Sequence, residues 1–192
     1  MMYVSQALKR AMQVKPKGIA TSFRGRRRTW TESGERIARL ASGLKRLGLS
    51  PGGRVAILAL NGDRYFEFMY AAPWLGAVMV PINTRLAAPE IAYILEDSDT
   101  EILLLDDNFV AMLEPLRKLG IKLKAVVHMG DGAAPPGMTP YEKLIEASPP
   151  IEDQLTGGNA LAGIFYTGGT TGKSKGVMLS HDNLVSNAAN AI

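Results

Sequence analysis

Short apolar runs that resemble buried strands recur along the chain, and segments with a helical repeat lie between them. The clearest run, Arg54–Leu60 (RVAILAL), is nearly continuous in apolar residues, as is typical of a parallel strand buried on both faces. Shorter runs of this kind occupy 78–82, 102–105, 124–129 and 161–166. Strands that alternate with helices favour a layered α/β fold, in which a mostly parallel sheet is flanked by helices.

The most distinct helical pattern follows Thr29-x-x-Glu32, which is a capping box. Apolar residues then recur at intervals of three and four, so one face of the predicted helix is apolar. On the other face, ion pairs at i,i+4 spacing are expected between Glu32 and Arg36 and between Glu35 and Arg39.

Polar residues and prolines indicate the ends of the other predicted helices. Four helices begin at a candidate N-cap. Pro89 lies at the first position of a helix, Pro73 kinks or ends a helix, and Pro115 breaks the helix predicted over 108–119. The candidate N-caps are Ser5, Asn61, Thr139 and Ser180.

Composition excludes several classes of protein. A chain of 192 residues with 46% hydrophobic and 21% charged residues is typical of one globular domain, or one domain and part of another. With no cysteine, a disulfide framework is excluded, and a reducing compartment such as the cytoplasm is expected. The longest nearly apolar run, 71–82, is too short to span a bilayer, so at most a peripheral membrane association is expected.

Four arginines lie within five residues and supply part of the net charge of +4. A basic cluster can bind nucleic acid. Here a glycine lies inside the cluster, strand-like residues flank it, and no aromatic side chains are interleaved. We therefore expect a solvated hairpin tip and no nucleic-acid partner for the cluster, which consists of Arg24, Arg26, Arg27 and Arg28.

A loop rich in glycine and hydroxyl side chains, 167–175, lies between the apolar runs 161–166 and 177–179. Glycine lets main-chain N–H groups converge on an anion, threonine and serine add donors, and lysine adds positive charge. The composition therefore predicts a phosphate-binding loop. A P-loop would need glycine at 167, where Thr167 stands, and would open directly into a helix, whereas helix signals begin only at Ser180.

The segment YTGGTTGKSKGV (166–177), followed by SHDN (180–183), closely resembles the signature of the adenylate-forming enzymes. This family includes acyl-CoA synthetases, luciferases and peptide-synthetase adenylation domains. Gly168 stands in place of the usual serine and Ser174 in place of the usual proline. The stretches 25–62 and 81–107 are similar to the opening segments of acyl-CoA synthetases. The second stretch is similar in particular to fatty-acyl-CoA ligases.

The resemblance implies an enzyme that adenylates a fatty or other carboxylic acid with ATP and transfers the acyl group to coenzyme A. The chain would be the N-terminal part of the large domain, with 1–192 an incomplete subdomain and the small C-terminal domain absent. ATP with Mg²⁺ and coenzyme A are the expected cosubstrates, and a homodimer is possible. The resemblance places the nucleotide phosphates on Thr167, Gly168, Gly169, Thr170, Thr171, Gly172 and Lys175.

Other parts of the family pattern have no counterpart in these 192 residues. They are the segment for adenine and magnesium, the aspartate for the ribose, and the adenylating lysine. We therefore assign no catalytic or metal-binding residue and expect the chain alone to be inactive. Two alternatives stay open: a non-catalytic module that binds a nucleotide or pyrophosphate, and an interaction module that associates through an uncovered sheet face.

Several polar residues near these segments are better explained by local structure than by catalysis. His181 is predicted to be the first residue of a helix, beside its cap, and Asp182 and Asn183 suit the first turn because of the helix dipole. The pair Asp106-Asp107 lacks metal-ligand spacing and is explained by a turn at a strand end. Lys173 stands at a variable position of the family pattern and receives no role.

Overall fold

The computed structural model describes residues 2–168 and 173–190. Helices and strands alternate along most of the described chain, as the apolar runs predict. In chain order, the helices are α1 (Gln6–Val14), α2 (Trp30–Arg46), α3 (Asp63–Trp74), α4 (Ala88–Asp97), α5 (Leu113–Lys118), α6 (Tyr141–Glu146) and α7 (His181–Asn190), and the strands are β1 (Ile19–Phe23), β2 (Arg26–Thr29), β3 (Arg54–Leu58), β4 (Val78–Pro81), β5 (Thr100–Leu105), β6 (Ala125–His128), β7 (Thr139–Pro140), β8 (Leu161–Thr167) and β9 (Lys175–Ser180).

Seven strands form one sheet in the order β7-β6-β5-β3-β4-β8-β9, and β1 and β2 form a separate antiparallel pair. Within the larger sheet, β3 to β8 pair in parallel and β9 runs antiparallel to β8. This arrangement confirms the predicted α/β class with a mostly parallel sheet. Because β8 is parallel to β4, the loop that follows β8 lies at the carboxyl edge of the sheet.

The sheet lies between two apolar cores, and β3 contributes to both of them. Val55 and Ile57 face the core formed with α1, α2, α3 and α6, whereas Ala56 and Leu58 face the core formed with α4 and α5. All four side chains are fully buried, as expected of a central parallel strand. In the described part of the chain, no helix has the length and apolar character needed to cross a membrane.

The predicted capping box at Thr29 is present, Ser5 lies at the N-cap position of α1 without a capping bond, and the caps predicted at Asn61 and Thr139 are wrong. The hydroxyl of Thr29 accepts from the Glu32 amide at 3.2 Å, and the Glu32 carboxylate accepts from the Thr29 amide at 2.7 Å. Ser5 makes no capping bond and instead donates to Asp153 at 2.7 Å. The N-cap of α3 is Gly62, not Asn61, and Thr139 belongs to a short strand, because pairing with β6 outweighs its local capping preference.

The predicted effects of proline also differ in part from the structure. The helix expected over 108–119 is a 3₁₀ turn, Val110–Met112, followed by α5, and Pro115 lies in the first turn of α5. A proline is tolerated there because the first amides of a helix have no intrahelical acceptor. Pro89 lies at the second position of α4, and Pro73 precedes the last residue of α3, as a helix-ending residue should.

Two of the four clustered arginines are not solvated as predicted. Arg26 Nε donates to Asp63 Oδ2 at 2.9 Å, and Arg28 also binds the Asp63 carboxylate, which is only 2% exposed. These arginines therefore join β2 to the start of α3. The exposure predicted for the cluster holds for Arg24 and Arg27.

The two predicted ion pairs of α2 have different outcomes. Arg39 binds Glu35 at 2.8 Å, as expected. Arg36 does not bind Glu32, because the Glu32 carboxylate belongs to the capping box. It binds two other carboxylates instead, those of Glu67 at 2.6 Å and Glu142 at 2.8 Å.

Candidate functional site

The loop after β8 is the candidate site, and it lies between two antiparallel strands. The ladder runs from Leu161 opposite Ser180 to Thr167 opposite Lys175, where the pairing ends. The next helix, α7, begins only at His181. The strand–loop–strand arrangement confirms the sequence interpretation and excludes a P-loop that opens directly into a helix.

The described site residues are exposed at the open end of this hairpin. Thr167, Gly168 and Lys175 are all exposed, and no atom of the described residues beyond its chain neighbours lies within 4 Å of the place where a Cβ of Gly168 would stand. Because Thr167 and Lys175 are paired, their side chains share one face of the hairpin. Among the described residues, Lys175 has no ion-pair partner. The other predicted site residues, Gly169, Thr170, Thr171 and Gly172, lie outside the described residues.

An open cleft of about 580 Å³ lies beside the loop, on the side of α4. The connection between β4 and α4, together with the first turns of α4, forms one wall, and the end of β8 with the adjoining loop residues forms the other. The lining combines apolar and aromatic surface with a few polar groups and one lysine, a composition that suits part of an organic ligand. The lining residues are Asn83, Leu86, Pro89, Glu90, Tyr93, Tyr166, Gly168, Lys173 and Ser174.

A tyrosine of β8 and two residues of α4 connect the base of the loop to that helix. Tyr166 donates a hydrogen bond to Asp97 Oδ2 at 2.5 Å, and Tyr93 donates to Asp97 Oδ1 at 3.3 Å. The two tyrosine rings meet edge to face with centroids 6.5 Å apart. Sequence reasoning missed Tyr93 and Asp97. Their i,i+4 spacing places them on one helix face, but no local signal relates that face to β8.

A second cavity, of about 320 Å³, lies between the loops that follow β3, β5 and β6. Its charged groups bind one another: Arg26 binds Asp63 and Asp131, and Arg64 also binds Asp131 at 3.0 Å. Burial tends to raise the pKa of Asp63, but hydrogen bonds from Arg26 and Arg28 outweigh burial, so this pKa lies below its ordinary value. The charges of this cavity are therefore paired with one another, and we assign it no ligand.

The buried residue His181 occupies the first position of α7, as predicted, beside the Ser180 cap. Its Nδ1 accepts from the Val4 amide at 3.2 Å, and Nε2 has no partner among the described residues. Burial lowers the pKa of His181, although Asp153 and Asp182 oppose this effect. The neutral imidazole of His181 thus holds the N-terminal segment. It lies at the start of α7, away from the exposed end of the hairpin.

Asp106 and Asp107 follow β5 as a strand-end turn, as predicted. Asp106 accepts from the amides of Leu60 at 2.8 Å and Asn108 at 2.9 Å. Asp107 binds His128 Nε2 at 2.8 Å. Within residues 2–168 and 173–190, no group of three or more histidine, cysteine or carboxylate side chains could hold a metal ion.

The fold and the loop define a class of protein, namely an α/β domain that presents a glycine- and hydroxyl-rich hairpin loop at the carboxyl edge of its sheet. Comparison with known proteins gives the family. The model of the AMP-binding enzyme family matches residues 8–192. The chain therefore belongs to the AMP-binding enzymes, as the motif resemblance implied.

Individual relatives and solved structures agree with this assignment. The long-chain fatty acid–CoA ligase of Thermus thermophilus is 40% identical over 162 residues, which cover 83% of this chain and 29% of that protein. The anthranilate CoA ligase AuaEII, solved with anthranoyl-AMP, superposes with a TM-score of 0.91 at 26% identity, over 98% of this chain and 37% of that one. ATP-bound MatB from Rhodopseudomonas palustris gives a TM-score of 0.80 at 28% identity, over 98% and 37%. The chain thus spans about a third of the length of these proteins.

Proposed function

We propose that this chain is the N-terminal, phosphate-binding part of an ATP-dependent acid–thiol ligase. In the first step, a carboxylate oxygen attacks the α-phosphorus of ATP, so an acyl-adenylate forms and pyrophosphate leaves. In the second step, the thiol of coenzyme A attacks the acyl carbon, its proton is released, and AMP leaves. The thermophile relative is a fatty acid–CoA ligase, which supports a fatty acid as the carboxylate.

The observation that carries this proposal is the exposed end of the β8–β9 hairpin. A hydroxyl on Thr167, an ammonium on Lys175 and the exposed residue Gly168 lie together where β8 leaves the sheet. Such groups suit a ligand with several anionic oxygens, because hydrogen bonds that involve a charged group are stronger than neutral ones. We assign the β- and γ-phosphates to these residues and to Gly169, Thr170, Thr171 and Gly172.

The loop would contribute to catalysis by stabilising the leaving group. Negative charge accumulates on pyrophosphate as the bond to the α-phosphorus breaks, and donors already placed there lower the barrier. Mg²⁺ would arrive with ATP, since the described residues offer no cluster of metal ligands. Binding sites for adenine, ribose and coenzyme A, and the adenylating lysine, would belong to the two thirds of the relatives' length that this chain does not match.

Titration calorimetry with pyrophosphate and with ATP tests the proposal. We expect the wild-type chain to bind both ligands, and we expect Lys175→Ala to bind pyrophosphate about tenfold or more weakly, because one charge-assisted interaction is lost. Lys122→Ala is the matched control. Lys122 is an exposed lysine that precedes β6, so it lies at the amino edge of the sheet, away from the loop. Equal affinities for the wild type and Lys175→Ala would refute the assignment.

An interaction module is the second candidate function, and one observation favours it. Strand β9 is the last strand of the sheet, and its Val177 and Met178 are 41% and 66% exposed. An exposed strand edge with apolar side chains can pair with another chain. Under this proposal the chain forms a homodimer, and sedimentation would show a mass that rises with concentration.

We also propose a cytoplasmic location, which the absence of cysteine supports.

A further inference from the structure

Helix α4 presents a small polar and aromatic surface to the root of the phosphate loop. Tyr93 and Asp97 lie one helical turn apart on the same face, and both phenols, Tyr93 and Tyr166, donate to the two oxygens of Asp97. Burial, followed by the interaction with Asp97, raises the pKa of Tyr166 above its ordinary value, which is consistent with a phenol that donates to Asp97. The first strand of the hairpin is thereby joined to α4 immediately before the loop.

The same tyrosine also contacts the second strand of the hairpin. Tyr166 pairs with Gly176, and a Cβ placed on Gly176 would lie 3.1 Å from Cζ of Tyr166 and 2.7 Å from Cγ2 of Ile164. The ring therefore lies across Gly176, where a larger residue would displace it. This contact explains why a glycine follows the motif lysine, Lys175, on this chain.

The returning arm of the loop has its own contact with α4. The ammonium of Lys173 lies 4.9 Å from the centroid of the Tyr93 ring, a cation–π arrangement. Side chains alternate along a strand, so Thr167 and Lys175 face away from the side on which Tyr166 contacts α4. Contacts with α4 thus occupy one face of the hairpin, and the other face carries Thr167 and Lys175.

We propose that Asp97 positions the phosphate loop, acting through Tyr166 and Tyr93, and that Lys173 adds to this positioning from the other arm. Asp97 does not touch the phosphates in this assignment, so it is a positioning residue and not a catalytic one. The proposal deepens the proposed function, since it concerns how the same loop is held in register for its ligand.

The position of Asp97 argues against a role in helix stability alone. It is the last residue of α4, where the helix dipole disfavours a carboxylate. Replacing Asp97 is therefore not expected to weaken the helix itself, so a loss in the variant points to the bonds to the two phenols. The neighbouring Glu96 is exposed, and its side chain has no hydrogen-bond partner among the described residues, so it provides a matched control.

Hydrogen exchange followed by mass spectrometry tests the positioning directly. In Asp97→Ala we expect peptides that cover 161–168 and 173–180 to exchange about three- to tenfold faster than in the wild type, as the loss of a hydrogen bond predicts. Glu96→Gln should leave these rates unchanged. Asp97→Asn keeps one acceptor oxygen, so its exchange rates should fall between those of the wild type and those of Asp97→Ala. Wild-type rates in Asp97→Ala, or equal acceleration throughout the chain, would overturn the proposal.

Pyrophosphate binding separates this proposal from the function on which it rests. If the wild type binds pyrophosphate, Asp97→Ala and Tyr166→Phe should bind it about three- to tenfold more weakly, and Glu96→Gln should match the wild type. If the wild type does not bind it, the proposed function fails, while the exchange experiment still decides the role of Asp97. Lys173→Met should accelerate exchange in 173–180 more than in 161–168, and no acceleration there would refute the role of Lys173.

Discussion

At the scale of single residues, the structure contains a buried neutral imidazole that does not belong to the loop. His181 is 1% exposed, and its contact with the Val4 amide needs an unprotonated Nδ1. Burial makes protonation costly, which is why the pKa of His181 lies below its ordinary 6.5. The residue therefore links the stability of the fold to pH.

We predict that the chain loses stability as pH falls below about 6.5, the pKa of His181 when unfolded. In this range the unfolded state binds a proton that the folded state does not, so the stabilisation is complete above the unfolded pKa and is lost as pH falls through the folded pKa. His181→Asn retains an acceptor for Val4 but cannot titrate. Urea denaturation at pH 7.5 and pH 5.5 should show a smaller loss for the variant. A loss equal to that of the wild type would contradict this role.

At the scale of elements, α2 shows how a local signal succeeds. The reciprocal bonds between Thr29 and Glu32 satisfy two amides that otherwise lack an acceptor at the start of the helix. Both partners lie within four residues, so tertiary structure does not need to bring them together. The same local signal failed at Ser5 and Thr139, because a buried carboxylate and a neighbouring strand compete for those residues.

We predict that Thr29→Ala lowers the free energy of unfolding by about 1 kcal/mol, the typical cost of an N-cap. Glu32→Gln should be close to the wild type, because glutamine can complete a capping box. Chemical denaturation measures both values. If Thr29→Ala unfolds at the wild-type urea concentration, the capping bonds do not contribute to stability.

At the scale of the whole molecule, buried ion pairs join elements that lie far apart in the chain. Asp63 at the start of α3 binds Arg26 and Arg28 of β2, and these contacts attach the small two-stranded sheet to the main layer. Removing one partner of a buried pair leaves the other charge uncompensated. The arrangement therefore costs little while it is complete and a great deal when it is broken.

Asp63→Asn should lower the free energy of unfolding by about 3 kcal/mol, since the buried Asp63 carboxylate binds both Arg26 and Arg28. The matched variant is Asp131→Asn. The Asp131 side chain also binds Arg26 and Arg64, but it is 38% exposed. Its expected loss is below about 1 kcal/mol. Denaturant titrations of both variants measure the difference, and equal losses would show that burial does not decide the contribution of these pairs.

We also predict that the chain alone does not turn over ATP and a fatty acid. It spans about a third of the length of the related ligases, and among its described residues no group of side chains could hold a metal ion. A coupled assay for pyrophosphate release should remain at the background rate with and without fatty acid. Steady release that depends on the acid would show that the remaining two thirds are not needed for adenylation.

The sequence by itself determined the parts that depend on neighbours along the chain. The apolar runs that alternate with helical patterns determined the α/β class, because burial on both faces of a strand requires a continuous apolar stretch. The motif of 166–183 determined the family and the loop. Most errors concerned residues with two possible partners. Arg26, Arg28 and Arg36 were assigned to solvent or to a near neighbour, whereas they bind Asp63, Glu67 and Glu142.

Only the tertiary structure decided which of these elements meet. The strand order places β8 beside β4 and so brings α4 to the root of the loop, where Tyr166 reaches Asp97 across 69 positions of sequence. Local propensity cannot encode such a contact, because it depends on the register of strands joined by long crossovers. The composition of the loop is thus a property of the sequence, and the direction in which the loop is held is a property of the fold.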